Sequence, residues 1–244
     1  MKSIKETGDV IAQAVNLKTK LICVYGSDRI PERSIQASSI SHCIAFSMYK
    51  MATGIVVGPI YVGYNQDKPI CRCIGGPSWF GYKDFDPILP SIISVGSDDM
   101  KGSNPKYLKE SKAVADETFS AVGKIYPIDR YVVMRRCEEI EDDTVVRSIV
   151  CFATGEQIRD LCALAHFRSN DVFGNVIVPW GPTCATLVTY PAGLSEKAPI
   201  NRIFLGPTDP SAKEWLPEGY MAMGIPAEVA KIMADDIEKS FLSR

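Results

Sequence analysis

Tyr131-Val132-Val133-Met134-Arg135-Arg136-Cys137 and Val145-Val146-Arg147-Ser148-Ile149-Val150-Cys151-Phe152 read as two strands held apart by the acidic segment 138–144. β-Branched and aromatic side chains suit a pleated, half-buried surface. The pair is therefore predicted to be a hairpin with an acidic turn. Working outward, residues 155–167 carry Ile158, Leu161, Cys162 and Ala165 at helical spacing, and residues 107–122 carry Leu108, Val114, Ala115, Phe119 and Val122 before Gly123 as a stop. Residues 1–17 read as an amphipathic helix, and residues 21–25 as a strand. Residues 35–51 read as a helix with Ile40, Cys43, Ile44, Met48 and Met51 on its apolar stripe, and residues 55–64 as a strand or sheet edge. Residues 172–178 and 184–189 read as strands on either side of the Pro179-Trp180-Gly181-Pro182 corner, followed by a short strand at 203–205. A last helix starts at Pro226 and is expected to bury Val229, Ile232, Met233, Ile237 and Phe241. Hairpins mixed with helices, without regular alternation, define an α+β class: a mixed or antiparallel sheet with packed helices, in one compact domain over residues 1–244. No internal repeat is read.

Composition narrows the function classes. At 46% hydrophobic and 23% charged residues, with a net charge of -2, the chain gives no electrostatic case for nucleic acid or an anionic membrane. No apolar run approaches the roughly 20 residues needed to cross a bilayer, and residues 1–9 lack the apolar core of a signal peptide. The expected setting is the cytoplasm, with a small molecule or a redox protein as partner, and a homo-oligomer is compatible with all of this. Eight cysteines are then expected to be reduced thiols. Cys23, Cys151 and Cys162 sit in apolar runs or stripes and behave there as small hydrophobes.

Three places could present a thiol. Cys71-Arg72-Cys73-Ile74-Gly75-Gly76 spaces two cysteines by one residue, so an extended strand would set both on one side. Gly75 and Gly76 leave backbone N–H groups unobstructed for an anion or a sulfide. A glycine-proline turn flanked by packed thiols is the other reading. Cys184 follows a corner whose two prolines and glycine hold it rigidly, with Trp180 able to shield it, which suits ligation as well as core packing. Cys43 on spacing alone belongs to the core. Only two histidines exist. His42 has no ligand one turn away, and as a helical neighbour of Cys43 it points about 100° from it. His166 has Cys162 one turn before it, without a third ligand. The acidic run matches no calcium loop, and neither glycine-rich phosphate motif occurs. Trp79, Phe80, Tyr82 and Phe85 form an aromatic group suited to the core or to the wall of a pocket for a planar ligand.

Four stretches together resemble the uncharacterised ArCR family (domain of unknown function 169): Ser41-His42-Cys43-Ile44-Ala45, Cys73-Ile74-Gly75-Gly76, Val178-Pro179-Trp180-Gly181-Pro182-Thr183-Cys184-Ala185, and Phe204-Leu205-Gly206 leading to Met221-Ala222-Met223-Gly224-Ile225-Pro226. The family is mostly archaeal and associated with anaerobes. The resemblance implies cysteines at the positions of Cys43, Cys73 and Cys184, and a further cysteine after the Leu-Gly pair, where this chain has Pro207. A four-thiolate site is thus incomplete here unless Cys71 substitutes. The leading expectation is an iron-sulfur cluster, such as 4Fe-4S, bound by Cys43, Cys73 and Cys184 with Cys71 as fourth ligand or an iron left open, and with Gly75, Gly76 and Trp180 around it. Two rivals stand beside it. One is a thiol-dependent enzyme using Cys73 or Cys184 as nucleophile. The other is a non-catalytic module that binds a small cofactor or partner through the aromatic residues 79–85.

Overall fold

The computed structural model describes residues 2–63, 76–98, 100, 104–207 and 215–243. Among these residues eight strands form one open mixed sheet in the order β2-β3-β4-β1-β5-β8-β7-β6. In chain order they are β1 (Ile22–Ser27), β2 (Ile35–Gln36), β3 (Ile60–Gly63), β4 (Tyr131–Arg136), β5 (Val146–Thr154), β6 (Val176–Ile177), β7 (Ile203–Gly206) and β8 (Tyr220–Pro226). The helices are α1 (Ile4–Ala14), α2 (Ala37–Ile40), α3 (Ile44–Ala52), α4 (Leu89–Ile93), α5 (Lys112–Val122), α6 (Gly155–Ala165) and α7 (Ala227–Asp236). This is an α+β fold, as the sequence predicts.

The predicted hairpin does not form. β4 and β5 both pair with β1, which lies between them, so that Ile22 is opposite Arg136 on one side and Val150 on the other. The reason lies in β1 itself. Ile22, Cys23 and Val24 are wholly buried, so both faces of this strand are apolar and it needs a central position with a partner on each edge. Stepping across one strand covers only about 10 Å, which residues 137–145 span easily. They begin as a 3-10 turn at Cys137–Glu139, where the Cys137 N–H donates to the Leu21 carbonyl (2.9 Å) and closes the end of β1.

Strand alternation divides the core into two layers. Ile22, Val24, Val150, Phe152, Phe204 and Ala222 face one way, toward α3, α5 and the loops around Trp79; Cys23, Ile149, Cys151, Met223 and Ile225 face the other, toward α1, α6 and α7. α1 and α6 start with complete capping boxes, Ser3 with Glu6 and Thr154 with Gln157; α1 is shorter at both ends than the predicted 1–17. Several finer expectations are corrected. Residues 35–51 are not one helix: after β2 and α2 the backbone extends at Ser41 and Cys43, and α3 begins at Ile44. Residues 184–189 are not a strand but a buried π-helical turn, Ala185–Thr189, in which Tyr190 N–H donates to the Ala185 carbonyl and Leu194 N–H to the Thr189 carbonyl (both 2.9 Å). Ile232 and Phe241, expected to be buried, are about half exposed.

Although the sequence shows no repeat, the topology does. β1-β4-β3-β2 and β5-β8-β7-β6 follow the same order with the same senses: first to fourth antiparallel, fourth to third antiparallel, third to second parallel. In each half helical structure lies between the second strand and the third: α2 and α3 in the first, the π-helical turn in the second.

Cys23, Cys137 and Cys151 lie in the layer with α1, α6 and α7 and are packing residues. Burial pushes the Cys151 thiol from 9.0 up to about 12, and burial followed by the neighbouring Cys23 thiol raises Cys137 as well. Because the folded thiol holds its proton to higher pH than the unfolded one, its contribution is complete below pH 9.0 and is lost between there and about 12. Urea unfolding at stepped pH is expected to show stability falling above pH 9.0, with Cys151 contributing about 1.4 kcal/mol per pH unit. Cys151→Ala should make that decline shallower. An unaltered slope would contradict the assignment.

Candidate functional site

The two potential ligand cysteines among the described residues occupy corresponding places in the two halves. Cys43 is the residue before α3, and Cys184 the residue before the π-helical turn. Both belong to the same hydrophobic layer on one face of the sheet, Cys184 buried within it and Cys43 packed half-buried against it. Cys43 takes an extended backbone (φ -119°, ψ 118°), and its N–H is held by the Ser41 hydroxyl (3.1 Å). The helical argument that kept His42 and Cys43 apart therefore falls, since neither is in a helix. His42 is exposed to solvent.

The Cys184 corner is fixed from several sides. Gly181 has φ +151°, and a Cβ there would lie 3.1 Å from the Tyr190 hydroxyl and 3.4 Å from the Ala185 Cβ, so only glycine fits without displacing a neighbour. The Tyr190 hydroxyl donates to the Trp180 carbonyl (2.9 Å) and ties the end of the π-helical turn back to the corner. Burial, with the Cys184 thiol nearby, holds the Tyr190 phenol far above its ordinary range, so it remains a donor. Pro182 accepts from the Ala185 N–H (2.8 Å). Trp180 is half-buried and packs edge-on against Phe119, with the Lys109 ammonium 4.8 Å from its ring centroid.

Gly76 begins the 3-10 turn Gly76–Phe80, with φ +40°. That turn leans on the π-helical turn: the Thr189 hydroxyl donates to the Trp79 carbonyl (2.5 Å), and the Trp79 ring meets Tyr190 edge-on at 6.2 Å. Cys71, Cys73 and Gly75 lie outside the described residues, but the chain joins Cys73 to Gly76 through only two residues. Of the aromatic group, Trp79, Phe80 and Tyr82 are buried and Phe85 packs against the same cluster, so these residues build core.

Sequence reasoning missed Thr183, Thr186 and Trp215. The Thr183 and Thr186 hydroxyls flank Cys184, are buried, and have no hydrogen-bond partner among the described residues; the same holds for the Trp215 Nε1. Trp215 stacks on Phe46 (5.4 Å), one turn into α3 from Cys43. The Thr-Cys-Ala-Thr order was the available signal, because hydroxyls either side of a thiol can donate to it. The histidines do not join the site. His166 caps α6, and its Nδ1 lies 2.9 Å from the Asn175 side-chain amide nitrogen. Among the described residues no three His, Cys, Asp or Glu side chains form a metal-holding group, and no helix is long and apolar enough to cross a membrane.

Fold and site thus define an α+β protein of repeated topology with a thiol before each of two corresponding helical segments. The chain belongs to the uncharacterised ArCR family, domain of unknown function 169, whose model matches residues 10–236. No curated protein and no solved structure matches it.

Proposed function

We propose that the protein holds an iron-sulfur cluster through the thiolates of Cys43, Cys73 and Cys184, with Cys71 as fourth ligand. The observation that carries this reading is the equivalent placement of Cys43 and Cys184 in one layer of the duplicated topology. The donor set is soft thiolate, which suits iron-sulfur chemistry. The unpartnered Thr183 and Thr186 hydroxyls are suited to donate to cysteine or inorganic sulfur, and such hydrogen bonds set the potential of a cluster. The rigid Trp180–Cys184 corner would need little ordering by the metal. A bound cluster supplies one-electron redox chemistry, or a ligand position where a thiolate is lacking; a redox protein is the partner that the first of these calls for.

The thiol-enzyme reading is weaker on these observations. For Cys184 the thiol is buried, while His42 is exposed and His166 is engaged by Asn175; Cys73, the other nucleophile of that reading, lies outside the described residues.

Anaerobic purification followed by iron and acid-labile sulfide analysis tests the proposal. Iron and sulfide in equal amounts, with both falling to background in Cys43→Ser and Cys184→Ser, is the expected result. Protein that contains neither element, yet folds and melts cooperatively, would sink it.

A further inference from the structure

A cavity of ≈ 230 Å³ lies between α5, the end of β6, β7 and the loop that follows the π-helical turn. Val122, Ile177, Trp180, Tyr190 and Phe204 wall it, and Ala198 lies across it. The polar groups of the lining are mostly engaged elsewhere. The Thr118 hydroxyl donates to the Val114 carbonyl (2.7 Å), the Ser195 hydroxyl to the Val122 carbonyl (2.7 Å), and the Tyr190 hydroxyl to the Trp180 carbonyl (2.9 Å). An exception is Lys197, an exposed residue of the lining, whose ammonium donates to the Ser120 carbonyl (3.2 Å) and has two further N–H bonds open to solvent or a ligand. Glu196, its neighbour, is turned away and accepts from the Lys124 N–H (3.0 Å).

These features specify a ligand. An apolar cavity of about 150 Å³ takes a benzene ring, so ≈ 230 Å³ has room for a ring and a short arm. Three aromatic walls favour a flat ring over an alkyl chain, since offset and edge contacts add to simple burial. An ammonium donates and cannot accept, so the arm must end in an acceptor, and an anion fits it best. We propose that this cavity binds a small aryl-alkyl carboxylate, its ring against Trp180, Tyr190 and Phe204 and its carboxylate on Lys197. The inference does not rest on the cluster, since neither Cys43 nor Cys184, the proposed ligands among the described residues, lines this cavity.

Phenylacetate titrated into the intact protein, followed by calorimetry and tryptophan fluorescence, tests it against phenylacetamide and phenethylamine. The acid is expected to saturate at millimolar concentration or below, with the amide about fivefold weaker and the amine weaker still. Lys197→Ala should bring the acid down to the amide's affinity while leaving the amide unchanged. Ala198→Phe, which fills the cavity, should abolish binding of both. Equal binding of acid and amide, an unchanged preference in Lys197→Ala, or no saturable binding would each overturn the proposal. Should Ala198→Phe fail to fold, the Lys197→Ala comparison still decides it.

Discussion

Gly224→Val is expected to lower the free energy of unfolding by about 3 kcal/mol or more. A Cβ at this position would lie 2.5 Å from the Thr186 carbonyl oxygen, 2.7 Å from Pro191 Cγ and 3.1 Å from Leu187 Cα. Two of those three atoms are backbone and cannot rotate away. Nor can the strand retreat, for Gly224 is paired on both edges, with Val150 on β5 and Phe204 on β7. The π-helical turn must lift off the sheet, and with it the apolar contacts of Leu187 and Val188, both wholly buried. Guanidinium unfolding checks this: the midpoint should fall while the slope is kept, as for a change in stability alone. If the proposed cluster is bound, the same variant should also lose its iron, because the turn that lifts is the one Cys184 precedes. A wild-type midpoint would mean that the turn does not sit on β8 as described.

Trp79→Ala is expected to cost about 3–5 kcal/mol, the range for removing a fully buried large aromatic side chain. Trp79 has no exposed surface, and its ring lies 4.9 Å from Phe85, 6.3 Å from Phe119, 6.3 Å from Trp180 and 6.2 Å from Tyr190. It is the shared member of these ring pairs, so its loss leaves a void on which four rings border. Trp79→Phe keeps an edge-to-face partner and should recover at least half of the loss. Thermal melts of the pair make the comparison. If Trp79→Ala and Trp79→Phe melted together near the wild type, the cluster would not be organised around this ring.

Helices α1, α6 and α7 are readable because each carries an apolar stripe, with Pro226 marking the start of α7. Residues 184–189 are not, because every side chain from Ala185 to Thr189 is buried and a segment buried all round has no period to distinguish helix from strand. β8 escaped notice because Tyr220–Pro226 contains Met221, Met223, Gly224 and Pro226, poor strand formers that packing nonetheless dictates. The placement of β1 between β4 and β5 is a long-range pairing that no local window contains. At the site, the residues 179–184 corner was legible from its prolines and glycine. The shared layer of Cys43 and Cys184 follows from the sheet order, and the sequence offered it only through family resemblance.

The position of β1 also sets an order of events during synthesis. Its partners are residues 131–136 and 146–150, so a chain emerging from the ribosome carries this strand, apolar from Ile22 to Val24, with both edges unpaired until more than half of the protein has been made. Non-local pairing of this kind is slow, and strands exposed meanwhile are prone to aggregate. The centre of the sheet is therefore the last part of the first half to become secure. Nascent chains stalled before residue 131 should engage chaperones through residues 21–25, and chains that have passed residue 150 should release them.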